Sequence, residues 1–382
     1  MKKAIILGND HTNTVGLVQS LGKVGYTCTV LLFGNKTGFV ACSKFVNKII
    51  TGKNPQECIE KLLLEPFEDK EKIPILAGSD NCALHLEKNA NRLQEHFLFE
   101  HTTKEYSIED ILDKKNQVTL ATEAGFNVPL SVEIPTGSTL PIKNLPFDPP
   151  YIFKPLVSFE GCKGDITICR TLEVLNEKLE KTLKHTRVLV QQYIERDYEI
   201  SILGCGLRNG EVLIPAVEKK LTLYPKYVGL ECLANMQPLT DNNIKNNICN
   251  LIKRIGYIGL FSIEMMHCKT DDKFYFTEIN PRNDGAESFV TQYGANLPLN
   301  HIEDLLGIPI TPITQTNPGY YIWDFHQFQS LLHMDINPIQ FIKDWKKSKG
   351  LLMYMKGDPK PFYKQYTNWF LEKIKLRKKS EY

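Results

Sequence analysis

An apolar run at residues 3–7, broken at Gly8-Asn9-Asp10, predicts a first strand ending in a turn. Val15, Val18, Leu21 and Val24 then recur at helical spacing, and residues 27–33 are rich in β-branched side chains. Residues 73–77 repeat the strand pattern, stop at Gly78-Ser79-Asp80 and lead into a helix through residues 84–93. Strands alternating with helices predict a parallel sheet that takes its ligands at the strand C-termini. The first turn lacks GxGxxG, which argues against a dinucleotide site.

From about residue 106 the pattern changes. Asp113 can cap a helix in which Val118, Ala121 and Ala124 share a face and which Gly125 ends. Residues 151–155 read as a strand, followed by a loop holding Gly161 and Gly164. A helix at 172–183 and strands near 187–194, 198–205 and 211–217 follow. Ile244, Ile248, Leu251 and Ile255 align along a helix at 241–255, and strands at 258–267 and 273–279 come next. Segregated strands and helices predict α+β subdomains. The expected units are an α/β domain at 1–105, paired subdomains at 106–310 and a C-terminal extension at 311–382.

Composition adds exclusions. With 382 residues, 42% hydrophobic and 24% charged, the chain can fill two or three globular cores. A formal charge of +2 disfavours a general nucleic-acid binder. No apolar run reaches the ~18–20 residues of a membrane span. Ten cysteines are scattered without CxxC, which predicts reduced thiols and a cytoplasmic protein. Charge is nevertheless uneven, because residues 343–382 hold twelve Lys/Arg against four acids. A packed C-terminal helix with a soluble basic tail is the preferred reading; weak peripheral contact with an anionic membrane is the other candidate.

The chemistry concentrates late in the chain. In an unbroken strand, Phe274, Phe276, Glu278 and Asn280 share one face. A three-residue loop at 270–272 would put Glu264 directly opposite Glu278. Two carboxylates and an amide oxygen suit Mg²⁺ bridged to phosphate, although either glutamate alone reads as an exposed sheet-face acid. Lys154, leaving a strand beside a glycine loop, can hold phosphate oxygens, whereas Lys114 alone reads as a solvated helix lysine. GxxxxGK[ST] is absent, which excludes a Walker loop. The run Gln191-Gln192-Tyr193-Ile194 can offer backbone groups to a purine, and Glu199 can accept ribose hydroxyls; taken alone, both read as an amphipathic strand end. Arg282 either stabilises an oxyanion or bridges to Asp284 or Glu287. Residues 283–288 either line an acceptor site or cap the next helix.

The order lysine, lysine with glycine loop, hinge, glutamate, then Glu-x-Asn resembles the ATP-grasp superfamily over most of the chain. Asp113-Lys114 followed by Ala124-Gly125-Phe126-Asn127-Val128-Pro129 adds to the resemblance. It implies an ATP-grasp fold behind a Rossmann-like α/β domain. By the same resemblance, Lys114 and Lys154 contact nucleotide phosphates, with Gly161 and Gly164 in the closing loop. Gln192, Tyr193 and Ile194 frame adenine, and Glu199 holds ribose. Glu264, Glu278 and Asn280 hold Mg²⁺ or Mn²⁺, and Arg282 faces an acyl phosphate. The bulky Phe159 and Glu160, and Gln191-Gln192 in place of an acidic hinge residue, depart from the commoner pattern. The implied activity is ATP-dependent joining of a small-molecule carboxylate to an amine or thiol. The layout is most similar to carboxylate–amine ligases such as D-aspartate ligase, which build cell-envelope precursors. Alternatives are a purine- or biotin-type carboxylase and a non-catalytic ATP-binding module. No nucleic-acid partner is implied, and a homodimer stays open.

Overall fold

The computed structural model describes residues 2–35, 38–66, 71–103, 105–135, 142–155, 166–181, 187–225, 230–314 and 316–380. The chain begins with β1 (Lys2–Asn9), α1 (Thr12–Gly22), β2 (Tyr26–Phe33), β3 (Val46–Gly52), α2 (Pro55–Leu63) and β4 (Ile73–Ala77). It continues through α3 (Asp80–Lys88), α4 (Ala90–Leu93) and β5 (Phe97–Phe99). The five strands form one parallel sheet in the order β3-β2-β1-β4-β5. The sequence reading missed β3 and α2, and it started the third helix late. Ser79 accepts a hydrogen bond from the Cys82 N–H and so caps α3 at Asp80. Chain order reverses between β1 and β4, the switch point where such sheets open a crevice.

The crevice is tightly built. A Cβ at Gly8 would stand 2.2 Å from the Thr14 hydroxyl, so only glycine lets α1 close on the end of β1.

β6 (His101–Thr102), α5 (Ile108–Leu112) and α6 (Lys114–Glu123) lead out of this sheet. Asp113 caps α6 by accepting from the N–H groups of Lys115 and Asn116, as the sequence predicts. A smaller unit follows: β7 (Ser131–Pro135), β8 (Tyr151–Pro155), β9 (Thr167–Cys169), α7 (Leu172–Lys181) and β10 (Arg187–Gln192). Its strands pair in the order β7-β10-β8-β9 and share a core of their own, built on Ile134, Phe153, Leu175 and Val190. A short link, residues 193–195, joins this sheet to β11.

β11 (Arg196–Gly206), β12 (Val212–Tyr224), β13 (Leu230–Gln237), α8 (Asn242–Ile255), β14 (Tyr257–Cys268) and β15 (Phe274–Asn280) form the large unit. After α9 (Glu287–Tyr293) and α10 (Leu297–Leu306), the chain adds β16 (Gly319–Ile322), α11 (Asp324–Leu332), α12 (Pro338–Lys347), β17 (Ser348–Leu351) and α13 (Lys360–Ser380). The large sheet runs β15-β14-β11-β12-β13-β16-β17, with β6 beside β14. Strands from beyond residue 310 therefore extend the central sheet. One face buries Ile200, Ile202, Ile263, Phe276 and Ile279 against α5, α6 and α8. Nine cysteines lie among the described residues and all are free thiols. Among the described residues, no helix is long and apolar enough to cross a membrane.

Candidate nucleotide and metal site

With isoleucines 200, 202, 263 and 279 directed into the core, alternation turns Glu199, Ser262, Glu264, Glu278 and Asn280 to the other face. Glu264 pairs with Glu278, and Ser262 with Asn280, in the antiparallel β14–β15 ladder. The joining loop is longer than the sequence predicts, because the Cys268 N–H bonds to the Lys273 carbonyl at 2.8 Å. The register then shifts between Glu264 and Met265, leaving Thr277 as an extra residue in β15. That bulge puts Phe276 in the core together with Ile279, so Phe276 does not share the face of Glu278 as expected. It also leaves the Thr277 hydroxyl buried without a hydrogen-bond partner.

Lys114, at the start of α6, donates to Glu278 Oε2 at 2.8 Å. Burial opposes the Glu278 charge, but Lys114, Asn280 and Arg282 overcome it and pull its pKa down to about 2. Asn280 donates to Glu278 Oε1 at 3.4 Å. Lys154, from β8 of the smaller sheet, is only 6% exposed and donates to Gln191 Oε1 at 3.0 Å. Burial, with the charge of Lys114 nearby, lowers its pKa to about 7. A phosphate anion placed beside Lys154 would restore its charge.

Lys220 escaped the sequence reading. Its ammonium lies 2.7 Å from Glu231, 3.1 Å from Glu264 and 3.4 Å from Glu199. Burial works against this charge, but the three carboxylates raise its pKa well above that of a free lysine. The expected strand stopped at 217, whereas β12 runs to Tyr224. The signal was present in the sequence, since Leu221 and Leu223 continue the alternation of Val217 and Lys219, which puts Lys220 on the other face with Glu218. Burial is the first influence on Glu199 too; Lys220 and Arg196 outweigh it and hold the carboxyl below its usual range.

The hinge is partly committed. The Gln192 N–H bonds to the Leu130 carbonyl at 2.8 Å, and the Tyr193 N–H to Pro150 at 3.3 Å. Gln192 thus pairs with its own sheet rather than presenting its N–H to a purine. Tyr193 is exposed and Ile194 buried. Gly161 and Gly164 lie outside the described residues.

Arg282 ties the site to the N-terminal crevice. Its guanidinium contacts Asp284 at 2.9 Å and Asp80, at the start of α3, at 3.2 Å. Asp284 is the bridge expected from sequence, whereas Glu287 is buried elsewhere and accepts from Thr291. Asp80 was not foreseen, because only the fold brings it there. Asn13 and Asn283 exchange side-chain-to-backbone hydrogen bonds of 3.2 and 2.8 Å beside it.

Among the described residues, no group of three or more His, Cys, Asp or Glu side chains could hold a metal. The donors on hand are two acids and an amide. That set fits Mg²⁺ only when nucleotide phosphates and water complete its shell, the usual arrangement for this ion.

Residues 119–297 match a family model described as the ATP-grasp domain. The formate-dependent phosphoribosylglycinamide formyltransferase of Bacillus velezensis is 32% identical over 184 residues, covering 44% of this chain and 44% of that protein. The N5-carboxyaminoimidazole ribonucleotide synthase of Haemophilus influenzae is 27% identical over 133 residues, covering 34% of this chain and 36% of that protein. The chain thus spans less than half the length of the curated relatives it matches. The structure of N5-carboxyaminoimidazole synthetase from Staphylococcus aureus with ADP has a TM-score of 0.63 at 16% identity, covering 84% of this chain and 81% of that one. An L-amino acid ligase from Bacillus licheniformis reaches 0.62 at 14% identity, covering 84% and 79%. The chain therefore carries an ATP-grasp fold behind an N-terminal parallel α/β sheet domain, with the match to the ATP-grasp domain confined to residues 119–297.

Proposed function

We propose that this chain uses ATP to convert a small carboxylate into an acyl phosphate and then passes the acyl group to an amine. The observation that carries this reading is the contact of Arg282 with Asp80. It sets the crevice between β1 and β4, where a parallel sheet takes its ligand, against the Glu264–Glu278–Asn280 face. A module that only binds ATP has no use for that junction.

Phosphoryl transfer depends on positioning and charge neutralisation. Lys114, Lys154 and Lys220 would surround the transferring phosphoryl group, and Glu264, Glu278 and Asn280 would hold Mg²⁺ or Mn²⁺. The metal would supply further neutralisation of phosphate charge. A substrate carboxylate oxygen bonds to the γ-phosphorus as the bond to ADP breaks. The amine nitrogen then bonds to the carbonyl carbon, the phosphate leaves, and the amine proton is lost to water. Arg282, a cation fixed between two aspartates, would stabilise the oxyanion of that second step. On nucleotide binding, Lys114 would exchange Glu278 for phosphate, which would free that carboxylate to help hold the metal.

The relatives bear on the acid. The Bacillus velezensis relative is by its name formate-dependent and acts on phosphoribosylglycinamide. This favours the purine-type alternative over joining an amino acid to an envelope precursor, which the layout alone suggested. A one-carbon acid, formate first and bicarbonate second, is therefore the proposed substrate, with a phosphoribosyl amine as acceptor. The test is ADP release from MgATP with formate, bicarbonate or D-aspartate, each with and without phosphoribosylglycinamide, and mass detection of the product. Formate-dependent release supports the reading. Release that answers only to D-aspartate would restore the envelope-precursor reading. Tight ATP binding without turnover in any mixture would leave a binding module.

A further inference from the structure

The C-terminal segment presents a surface that the proposed reaction does not use. Along α12, Asp344 is buried and Phe341 and Trp345 are partly buried, so these positions face the protein. Ile339 and Ile342 are instead 68% and 52% exposed. Ile339, Ile342, Lys343 and Lys346 follow the i, i+3, i+4, i+7 spacing and make one outward stripe. Just before it, Met334 is 91% exposed, in a left-handed backbone conformation with φ of 61°, and Leu332 is exposed beside it. Large apolar side chains held this far into water mark a contact surface.

The surrounding charge names the partner. Of the four acids in residues 343–382, Asp344 and Asp358 are buried. Asp344 accepts from Gln327 and Gln340, and Asp358 from Ser43 and Lys44. The exposed charge is therefore more positive than composition suggests, with Lys343, Lys346, Lys349, Lys356 and Lys360 all exposed. Phe370 and Leu371 of α13 add exposed apolar area, and α13 packs on α11 through Phe328 and Trp369, 5.9 Å apart.

We infer that this face docks on an anionic lipid surface. Leu332, Met334, Ile339 and Ile342 enter the boundary between headgroups and acyl chains, and Lys343 and Lys346 meet the lipid phosphates. A second copy of the chain fits less well, because a two-fold contact would set two strongly basic segments against each other. The sequence alone favoured a soluble tail; the outward stripe of α12, which lies well before that tail, changes the reading.

The test is co-sedimentation of the full chain with phosphatidylcholine vesicles, with and without phosphatidylserine, at low and high salt. Binding should be at least about tenfold tighter with phosphatidylserine and should weaken as salt screens it. A triple variant, Met334→Ser with Ile339→Ser and Ile342→Ser, should bind several-fold less. So should Lys343→Glu with Lys346→Glu, which touches only exposed lysines and decides the matter if the triple variant misfolds. Equal binding to both vesicle types, or none, overturns the inference. A concentration-dependent dimer in light scattering that the triple variant abolishes also overturns it.

Discussion

Glu264 stands directly opposite Glu278 although the loop between their strands is longer than the three residues that would produce this register. The extra loop residue shifts the ladder by one, and the bulge at Thr277 shifts it back. Without the bulge, Glu278 would turn into the core that Phe276 and Ile279 fill. A strand irregularity thus creates the pair of carboxylates on which the metal proposal rests.

Glu278→Gln should keep the fold and lower ATP turnover by about 10²-fold or more, because a charge that neutralises phosphate through the metal is lost. Wild-type turnover at saturating Mg²⁺ would remove Glu278 from the site. The same variant has a pH signature. The Glu278 pKa is held at about 2, below its unfolded value near 4.5. Its stabilisation is therefore present above pH ~4.5 and is lost as pH falls towards 2. Melting curves of Glu278→Gln should consequently lose less stability than wild type across that acid range.

Lys154→Met should melt higher than wild type near pH 7 yet bind ATP more weakly. Lys154 is buried and its pKa falls to about 7, so wild type carries the cost of a desolvated ammonium. A folded pKa below the unfolded value makes folding release a proton between pH ~7 and ~10, so wild-type stability attributable to this residue rises with pH there. An arriving phosphate reverses the shift. ATP binding at pH 8 should therefore take up a proton, measured by titration calorimetry in buffers of different ionisation enthalpy. Identical proton uptake in Lys154→Met would refute the assignment.

Asp80→Asn tests the junction with the N-terminal sheet. It loosens Arg282 without touching the lysines, so turnover should fall about tenfold while the ATP dissociation constant stays unchanged. If ATP affinity falls as far as turnover, Asp80 supports the nucleotide site instead.

These predictions divide by how their residues could be found. Glu264, Glu278 and Asn280 were legible as donors close together in one hairpin, but their expected register holds only because the longer loop and the bulge at Thr277 offset each other. Asp113 was legible from capping chemistry, whereas Lys114 alone read as a solvated helix lysine and entered the candidate site only through the family resemblance. Asp80 and Arg282 lie about two hundred residues apart, and no local pattern encodes their meeting. Gln192 read as a hinge residue because its type suits one; its place in the β7–β10 pairing depends on a partner strand the sequence does not point to. β3 was missed because Val46–Gly52 mixes exposed polar and apolar positions, as an edge strand does.

Lys220 gives the sharpest test, because three carboxylates depend on it. Its side chain is 3% exposed, and Glu199, Glu231 and Glu264 all lie within 3.4 Å of its ammonium. Lys220→Met keeps the stem but leaves three acids without their counter-charge, which should cost about 3–5 kcal/mol of stability at pH 8. The loss should shrink towards pH 5, because the uncompensated acids have raised pKa values and take up protons. Wild type should not weaken through this group until pH exceeds 10.5, since its folded pKa lies above that unfolded value. Urea unfolding of both proteins at pH 8 and pH 5.5 measures the difference. An equal loss at the two pH values would mean that packing, not charge, is what Lys220 contributes. Lys220 would then have no claim to a phosphate-binding role.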